Sequence, residues 1–349
     1  MINHSEPYYI KISKVTDSID RLLWSVVIPT YNCAKFLKET LQSVLAQDPG
    51  EAIMEIIVVD DHSTKDDPEA IVKEFGNGRV QFYRQPKNIG KSSNYAFGIN
   101  LSKGHYIHLL HGDDTVEPRF YKTIADLFKE YPKASAAFCR SNYINAENHT
   151  IGETELLIPK SGIIYNFIER IAVWQLIQPP SIVFKREVYE TLGGYDTRLE
   201  YIEDWEFYVR AALNYNFIYC PENLANYRVY SENSSSKSVK GGKRVKTIER
   251  VLSIIDAYLP QNIKAEIKRP RHRAVSIYLL NYIPKLIKTK DTKGFLVFTK
   301  AFFKHNRSSK LFGRWLRFII QFRKFSELSL LTRILSISVR YRLAKKKEA

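Results

Sequence analysis

An α/β fold, a Rossmann-like and mostly parallel sheet with helices on both faces, is what the first 131 residues predict. Three observations lead there. Short β-branched runs alternate with segments whose apolar residues recur at helical spacing. Turn-forming residues separate the two kinds of segment. The resulting strand–helix order repeats through four strands, which favours parallel pairing by crossover connections.

The elements follow in order. Trp24 to Ile28 is a short run of buried-strand character ended by Pro29. Ala34 to Gln47 places Phe36, Leu37, Leu41, Val44 and Leu45 on one helical face, and Asp48-Pro49-Gly50 stops it. Ile56 to Val59 is a second buried strand. A helix over Pro68 to Phe75 has proline in its first turn, where the missing N–H costs nothing. Val80 to Tyr83 gives a third strand, Ser92 to Leu101 a helix, Tyr106 to Leu110 a fourth strand and Pro118 to Tyr131 another helix.

Residues 135–236 are mixed. Ala136 to Cys139 and Ser181 to Phe184 have strand character, Arg186 to Leu192 is a short helix stopped by Gly193-Gly194, and Asp204 to Leu213 is an amphipathic helix. Ser231 to Lys243, rich in Ser, Gly and Lys, reads as a loop or linker. Beyond Val245 the chain is helical. Over Leu311 to Phe325, Phe312, Trp315, Leu316, Ile319 and Phe322 share a face opposite Arg314, Arg317, Gln321 and Lys324. The expected division is an N-terminal extension (1–21), a catalytic domain (22–235), a linker (236–244) and a basic helical C-terminal region (245–349).

Charge divides the chain in the same place. Residues 1–236 hold 24 Lys+Arg against 31 Asp+Glu, and residues 237–349 hold 29 against 6. So basic a terminal region points to an anionic membrane surface or nucleic acid. Interleaved Trp and Phe favour the membrane interface, and no nucleic-acid motif is present. Packing on the catalytic domain or a homo-oligomer contact would use the same helices. Three dispersed cysteines, Cys33, Cys139 and Cys220, suggest neither a disulfide framework nor a zinc site. No secretory leader or spanning segment is evident, so the expected location is cytoplasmic, peripheral on the inner face of the cell membrane.

In open parallel sheets, ligands bind beyond the carboxyl ends of the strands. Tyr31-Asn32, Asp60-Asp61 and Asp113-Asp114 all follow predicted strand ends, and Glu203-Asp204 opens a later helix. Paired carboxylates at such a rim suit a hard cation such as Mg²⁺ or Mn²⁺ bound together with a diphosphate. Each pair also has a plain structural reading, as a turn, a helix cap or an acidic first turn. His62, His108 and His111 lack zinc-site spacing and are expected to be loop or core residues. Neither GxSxG, P-loop nor GxGxxG occurs.

Taken in order, Val26-Val27-Ile28-Pro29-Thr30-Tyr31-Asn32, Val58-Val59-Asp60-Asp61-His62-Ser63, Asn88-Ile89-Gly90, His111-Gly112-Asp113-Asp114, and Gly193-Gly194-Tyr195-Asp196 with Glu203-Asp204-Trp205 resemble family 2 glycosyltransferases of the GT-A fold. The resemblance covers residues 22–235. It implies a nucleoside diphosphate sugar donor, a UDP-sugar above all, and a glycan or lipid-linked acceptor in surface polysaccharide assembly. Pro29, Thr30 and Tyr31 would line the nucleotide site, and Asp61 would accept a hydrogen bond from the base. Asp113 would contact the ribose, and Asp113 and Asp114 the Mg²⁺ or Mn²⁺. Asp204 would be the catalytic base of an inverting displacement. Arg84 and Lys91 would lie near the nucleotide and Arg228 at the diphosphate. Acceptor contacts are expected between Asn142 and Ser181, with Trp174 and Gln178-Pro179-Pro180 as candidates. Two positions depart from the pattern: His111 stands where the first acid is usual, and Tyr230 where many relatives carry histidine. These departures leave a different-class alternative open, a non-catalytic GT-A-like adaptor that binds a membrane or nucleic acid through the basic region.

Overall fold

The computed structural model describes residues 8–15, 21–231 and 239–322. The chain forms two compact units: Met1–Ile171 with Gln175–Tyr230, and Ala172–Trp174 with Ser231–Ala349.

The first unit is built on a ten-stranded sheet. Its leading half is parallel, in the order β3 (Val80–Arg84), β2 (Met54–Asp60), β1 (Trp24–Thr30), β4 (Tyr106–Leu109). Every residue of β1 and β2 is buried, as β-branched strands covered by helices on both faces should be. Pro29 does not end β1. The strand continues to Thr30, paired with Asp60, because proline removes one donor while its carbonyl still accepts the Gly112 N–H at 3.1 Å. The connecting helices are α1 (Ala34–Leu45), α2 (Pro68–Phe75) and α3 (Lys91–Leu101), followed after β4 by α4 (Phe120–Glu130). Phe36, Leu37, Leu41 and Val44 of α1 are buried as their spacing requires.

The trailing half departs from a plain parallel sheet. Strand β6 (Ala134–Ile144) pairs in parallel with the long β10 (Asn216–Arg228). Between β4 and β6 lies β9 (Ile182–Lys185), antiparallel to both. Three short strands, β5 (Thr115–Val116), β7 (Thr150–Glu153) and β8 (Gly162–Ile163), pair antiparallel with β10, β6 and β10. Helices α5 (Phe167–Ile171), α6 (Arg186–Leu192) and α7 (Glu203–Ala212) complete the unit. The carboxyl ends of β1, β2, β4, β6 and β10 therefore point the same way, and that rim holds the acidic residues.

The second unit contains a 3-10 helix (Lys240–Gly242) and, among its described residues, the α-helices α8 (Lys243–Tyr258), α9 (Gln261–Lys288), α10 (Thr292–His305) and α11 (Ser309–Phe322). Helix α8 begins inside the stretch expected to be a linker, of which residues 232–238 lie outside the described residues. Asp291 caps α10 by accepting the Gly294 N–H at 2.8 Å. Arg271 donates to the Ala172 carbonyl at 2.9 Å, and Trp174 packs on Tyr278. Trp315 of α11 is used inside the unit, 2% exposed with its ring against Phe303 and Phe312, whereas Leu316 is 41% exposed. No helix among the described residues is long and apolar enough to cross a membrane. The basic run at residues 340–347 and the end of the expected 311–325 helix lie outside the described residues.

Candidate active site

The acid pair after β2 is fully occupied by the protein. Asp60 accepts from the Ser63 N–H and hydroxyl and from Arg84 Nε at 2.8 Å. Asp61, 3% exposed, accepts the Ile89 and Gly90 N–H groups at 2.7 and 3.0 Å, while its own N–H donates to the Thr30 carbonyl. Gly90 makes that clamp feasible: its φ of +85° is open to glycine but strained for other residues. Burial raises the Asp61 carboxyl above its ordinary value, and the Ile89 and Gly90 donors pull it back down. Arg84 also bonds Asp67 at 3.1 Å and lies 3.7 Å from Glu69, so its cation is engaged by three carboxylates. Pro29 and Thr30 are buried and tie β1 to both acidic loops, whereas Tyr31 is 48% exposed at the rim.

The loop after β4 is different. Asp113 Oδ2 accepts the Tyr230 hydroxyl at 2.9 Å, and Asp114 Oδ1 accepts the Arg228 N–H at 2.8 Å. Asp114 Oδ2 is buried with no hydrogen-bond partner among the described residues. His111 lies beside it, its Nδ1 3.9 Å from that oxygen and its ring stacked on Tyr95. One ligand atom from each of His111, Asp113 and Asp114 falls within 4.8 Å of the others. Burial raises the Asp113 carboxyl, and burial with the neighbouring Asp113 charge raises Asp114 well above the usual carboxylate range. Burial, with Lys91 second, lowers the His111 imidazole to about 3, which keeps it neutral at pH 7. Gly112 lets this loop sit against β1, where a Cβ would lie 3.2 Å from the Thr30 side chain.

These residues fit a divalent cation. A neutral imidazole and two carboxylates are metal donors, one oxygen lacks any other partner, and a cation would relieve the repulsion between the acids. Arg228 supports the loop from below. Its side chain is fully buried, with Nε on the Asp113 carbonyl at 2.8 Å, Nη1 on Asn148 at 2.7 Å and Nη2 on Glu39 at 2.6 Å.

The third pair opens α7. The residue before it, Ile202, has φ +56°, an unusual conformation for a β-branched side chain and a sign of local strain. Glu203, 3% exposed, pairs through Oε1 with Lys91 Nζ at 2.8 Å, and its Oε2 is buried without a hydrogen-bond partner among the described residues. Asp204 Oδ2 accepts from the Gln175 side-chain amide. One pocket is lined by His111, Glu203 and Asp204 together with Tyr95, Pro179 and Tyr208. His111, from the loop that carries the second acid pair, therefore shares one space with the third pair, about ninety residues on in sequence.

Residues 25–193 match the family model described as Glycosyl transferase family 2. The chain belongs to glycosyltransferase family 2. Among its relatives, chondroitin synthase of Pasteurella multocida is 25% identical over 249 residues, which is 70% of this chain and 25% of that protein. Among solved structures, S. aureus TarS 1–349 in complex with UDP-GlcNAc superposes with a TM-score of 0.61 at 17% identity, covering 84% of each chain. Mannosyltransferase PcManGT from Pyrobaculum calidifontis, in complex with GDP-Man and Mn²⁺, gives 0.54 at 16% identity over 98% of this chain and 87% of that one. Both likenesses show the fold, with the mostly parallel sheet read from the sequence.

In this family 2 glycosyltransferase, His108 is the core histidine expected, bonded to the Tyr121 hydroxyl and the Pro180 carbonyl with no exposure. His62 lies in a loop and bonds the Gln85 carbonyl. His111 lies in a loop as expected, but in a group that could hold a metal ion. The strand end swings it beside Asp114, a placement that depends on side-chain direction and not on ligand spacing. Lys91 meets Glu203, and so links the start of α3 to the start of α7. Gln178 bonds the Tyr143 hydroxyl, and Pro179 lines the pocket with Asp204. Trp174 instead belongs to the helical unit. Sequence reasoning missed Gln175 altogether. A lone glutamine in an irregular segment gives no signal, and only the folded chain brings it to an acid 29 residues away.

Proposed function

We propose that residues 22–235 of this glycosyltransferase move a sugar from a nucleoside diphosphate donor, a UDP-sugar, to a hydroxyl of a glycan or lipid-linked acceptor, with inversion at the anomeric carbon. One observation carries the reading: His111, of the His111–Asp113–Asp114 cluster, lines one pocket together with Asp204. A TarS structure with UDP-GlcNAc and a chondroitin synthase relative support the donor class and a role in polysaccharide synthesis.

Asp113 and Asp114, with His111 beside them, would hold Mg²⁺ or Mn²⁺. Such an ion supplies positive charge against the diphosphate as negative charge grows on it. Asp204 takes the proton of the acceptor hydroxyl while that oxygen attacks the anomeric carbon. The bond from the anomeric carbon to the diphosphate oxygen breaks, and its electron pair leaves with the nucleotide. General-base help of this kind is worth about 10²–10⁴-fold. Tyr31, exposed at the end of β1, is the candidate platform for the base, with Pro29 and Thr30 shaping the wall through their backbone. A base N–H on Asp61 would be a third donor to that carboxylate, which has about four lone-pair sites. We assign Arg84, Lys91 and Arg228 to this nucleotide side, each already braced by Asp60, Glu203 and Glu39.

The excess of Lys and Arg after residue 236 supports docking on an anionic membrane surface, at about 1 kcal/mol per basic residue near it. Trp315 is packed internally, so its ring is not offered to that surface. Flotation with anionic vesicles, with and without residues 245–349, tests it. The catalytic reading is tested by screening UDP- and GDP-sugars for nucleotide release and thermal stabilisation, each with Mn²⁺ and with Mg²⁺. Metal-dependent stabilisation by UDP and release from one UDP-sugar are expected. No stabilisation and no release from any donor would leave the adaptor reading in its place.

A further inference from the structure

We infer that a second cleft, on the opposite face of the sheet from the Asp204 pocket, binds an uncharged saccharide through its hydroxyls. That cleft is separate from the chemistry assigned to Asp204.

The cleft measures about 310 Å³, at the small end of the roughly 300–1,000 Å³ usual for small-molecule sites. Glu39 and Ser43 of α1 form one wall, whereas the Asp204 pocket is walled by Tyr95 of α3. Helix α1 carries the chain from β1 to β2, and α3 carries it back from β3 to β4. Right-handed crossovers in these opposite directions put the two helices on opposite faces of the sheet.

The floor of the cleft is polar where a sheet face is usually apolar. Asn142 of β6 and Asn226 of β10 are register partners. Asn226 Nδ2 donates to Glu117 Oε1 at 2.7 Å, and a carboxylate can only accept, so Asn226 Oδ1 faces Asn142. Asn142 Nδ2 donates to that oxygen at 2.9 Å, which leaves Asn142 Oδ1 unused. The same logic orients Asn148. Its Oδ1 accepts from Arg228 at 2.7 Å, and its NH₂ group is left over. Glu39 spends Oε2 on Arg228 and Glu117 spends Oε1 on Asn226, so each keeps one oxygen without a hydrogen-bond partner among the described residues.

Three unused acceptors therefore surround a space that also holds the Asn148 amide and the Thr150 hydroxyl. The set calls for a ligand with several O–H donors that can also accept, as the neighbouring hydroxyls of a saccharide do. Hydrogen bonds to the two carboxylates are charge-assisted and roughly twice as strong as neutral ones. Val116 and Ile144 supply an apolar strip for the C–H face of a ring. No lysine or arginine lines the cleft among the described residues, so its carboxylates repel phosphorylated sugars and uronates. A metal ion is the poorer fit, because the cleft contains no group of three metal donors among the described residues.

The test follows the side-chain amide signals of Asn142 and Asn148 by ¹H–¹⁵N NMR, each identified by its loss in Asn142→Ser or Asn148→Ser. Maltose, lactose and N,N′-diacetylchitobiose are the probes, with glucuronate and glucose 6-phosphate as anionic controls. At least one disaccharide is expected to shift both signals saturably, with a Kd of about 1–10 mM. Glu117→Gln keeps the bond to Asn226 but replaces the free acceptor with a donor, and Thr150→Val removes only the hydroxyl. Each should weaken binding about 3–10-fold, and the anionic controls should give no saturable shift. UDP with Mn²⁺ should leave the disaccharide bound. No saturable shift from any of the three disaccharides overturns the inference, as does equal binding of the anionic sugars or unchanged affinity in both folded variants. Displacement by UDP with Mn²⁺ also overturns it, since the saccharide would then occupy the Asp204 pocket. None of these results decides the outcome of the donor screen.

Discussion

The acid pairs on the two sides of the rim differ in how far the protein satisfies them. After β2, each carboxylate oxygen of Asp60 and Asp61 accepts from Ser63, Arg84, Ile89 or Gly90. After β4 and at α7, Asp114 Oδ2 and Glu203 Oε2 are buried without a hydrogen-bond partner among the described residues. Leaving a buried charged acceptor unmade costs about 1–3 kcal/mol or more. Asp66 Oδ1, in the loop after β2, is orphaned too, so such an oxygen points to a further group only where other donors converge, as at His111, Asp113 and Asp114. The comparison teaches that an acid pair at a strand end is not by itself a site. The fully satisfied pair builds the loop that shapes the rim, whereas Asp114 and Glu203 each keep one orphaned oxygen, and Glu203 lines the pocket.

The largest effect that would sharpen this contrast is at Asp204. Asp204→Asn should lower transfer by about 10²–10⁴-fold while UDP binding with Mn²⁺, read by calorimetry, changes little. Near-normal turnover would remove Asp204 from the chemistry. Next comes Asp113→Ala, which should weaken Mn²⁺ binding by about 10–100-fold without unfolding the protein; unchanged binding would place the ion elsewhere. Asp61→Ala should act in the opposite way. Loss of two backbone hydrogen bonds to a carboxylate should cost stability of about 2–4 kcal/mol in urea unfolding, with Mn²⁺ affinity nearly preserved. If Asp61→Ala loses metal binding and keeps its stability, the contrast between the two sides breaks.

The pH dependence follows from Asp113 and Asp114, both raised above the ordinary 3.8. A raised folded-state value means that the folded chain holds protons which the unfolded chain has released. Their contribution to metal-free stability is full below about pH 4 and is lost as pH rises through the raised values. Thermal melts of wild type and Asp114→Asn without metal should therefore diverge with rising pH, with wild type losing stability relative to the variant. Mn²⁺ must displace the same protons, so its stabilising effect on wild type should grow over that interval. Parallel melting curves would deny the raised values. The smallest effect is expected at Tyr230→Phe, which removes one donor from Asp113 and should change Mn²⁺ affinity by about 2–5-fold, read by the same calorimetry.

Much of the leading half was readable because its signals are local. The β-branched runs of β1 and β2 and the apolar stripe of α1 depend on neighbours within a few residues, and α2 spans the expected Pro68–Phe75. The trailing half hid its topology. Residues 182–185 look like any strand, and nothing local says that they run antiparallel between β4 and β6. Strand β10 was not read at all, since Pro221, Glu222 and Asn223 interrupt its pattern where the register with β6 shifts.

From the sequence alone came the order of motifs, the acids that follow the strands and the break in charge near residue 236. Those properties belong to residue type and spacing, and no fold is needed to see them. Tertiary structure decided which acids are occupied, that His111 stands beside Asp114, that Lys91 pairs with Glu203 and that Gln175 reaches Asp204. Each of these is a contact across many residues of chain, set by where a side chain points after the sheet has formed. Spacing in sequence carries no information about that direction.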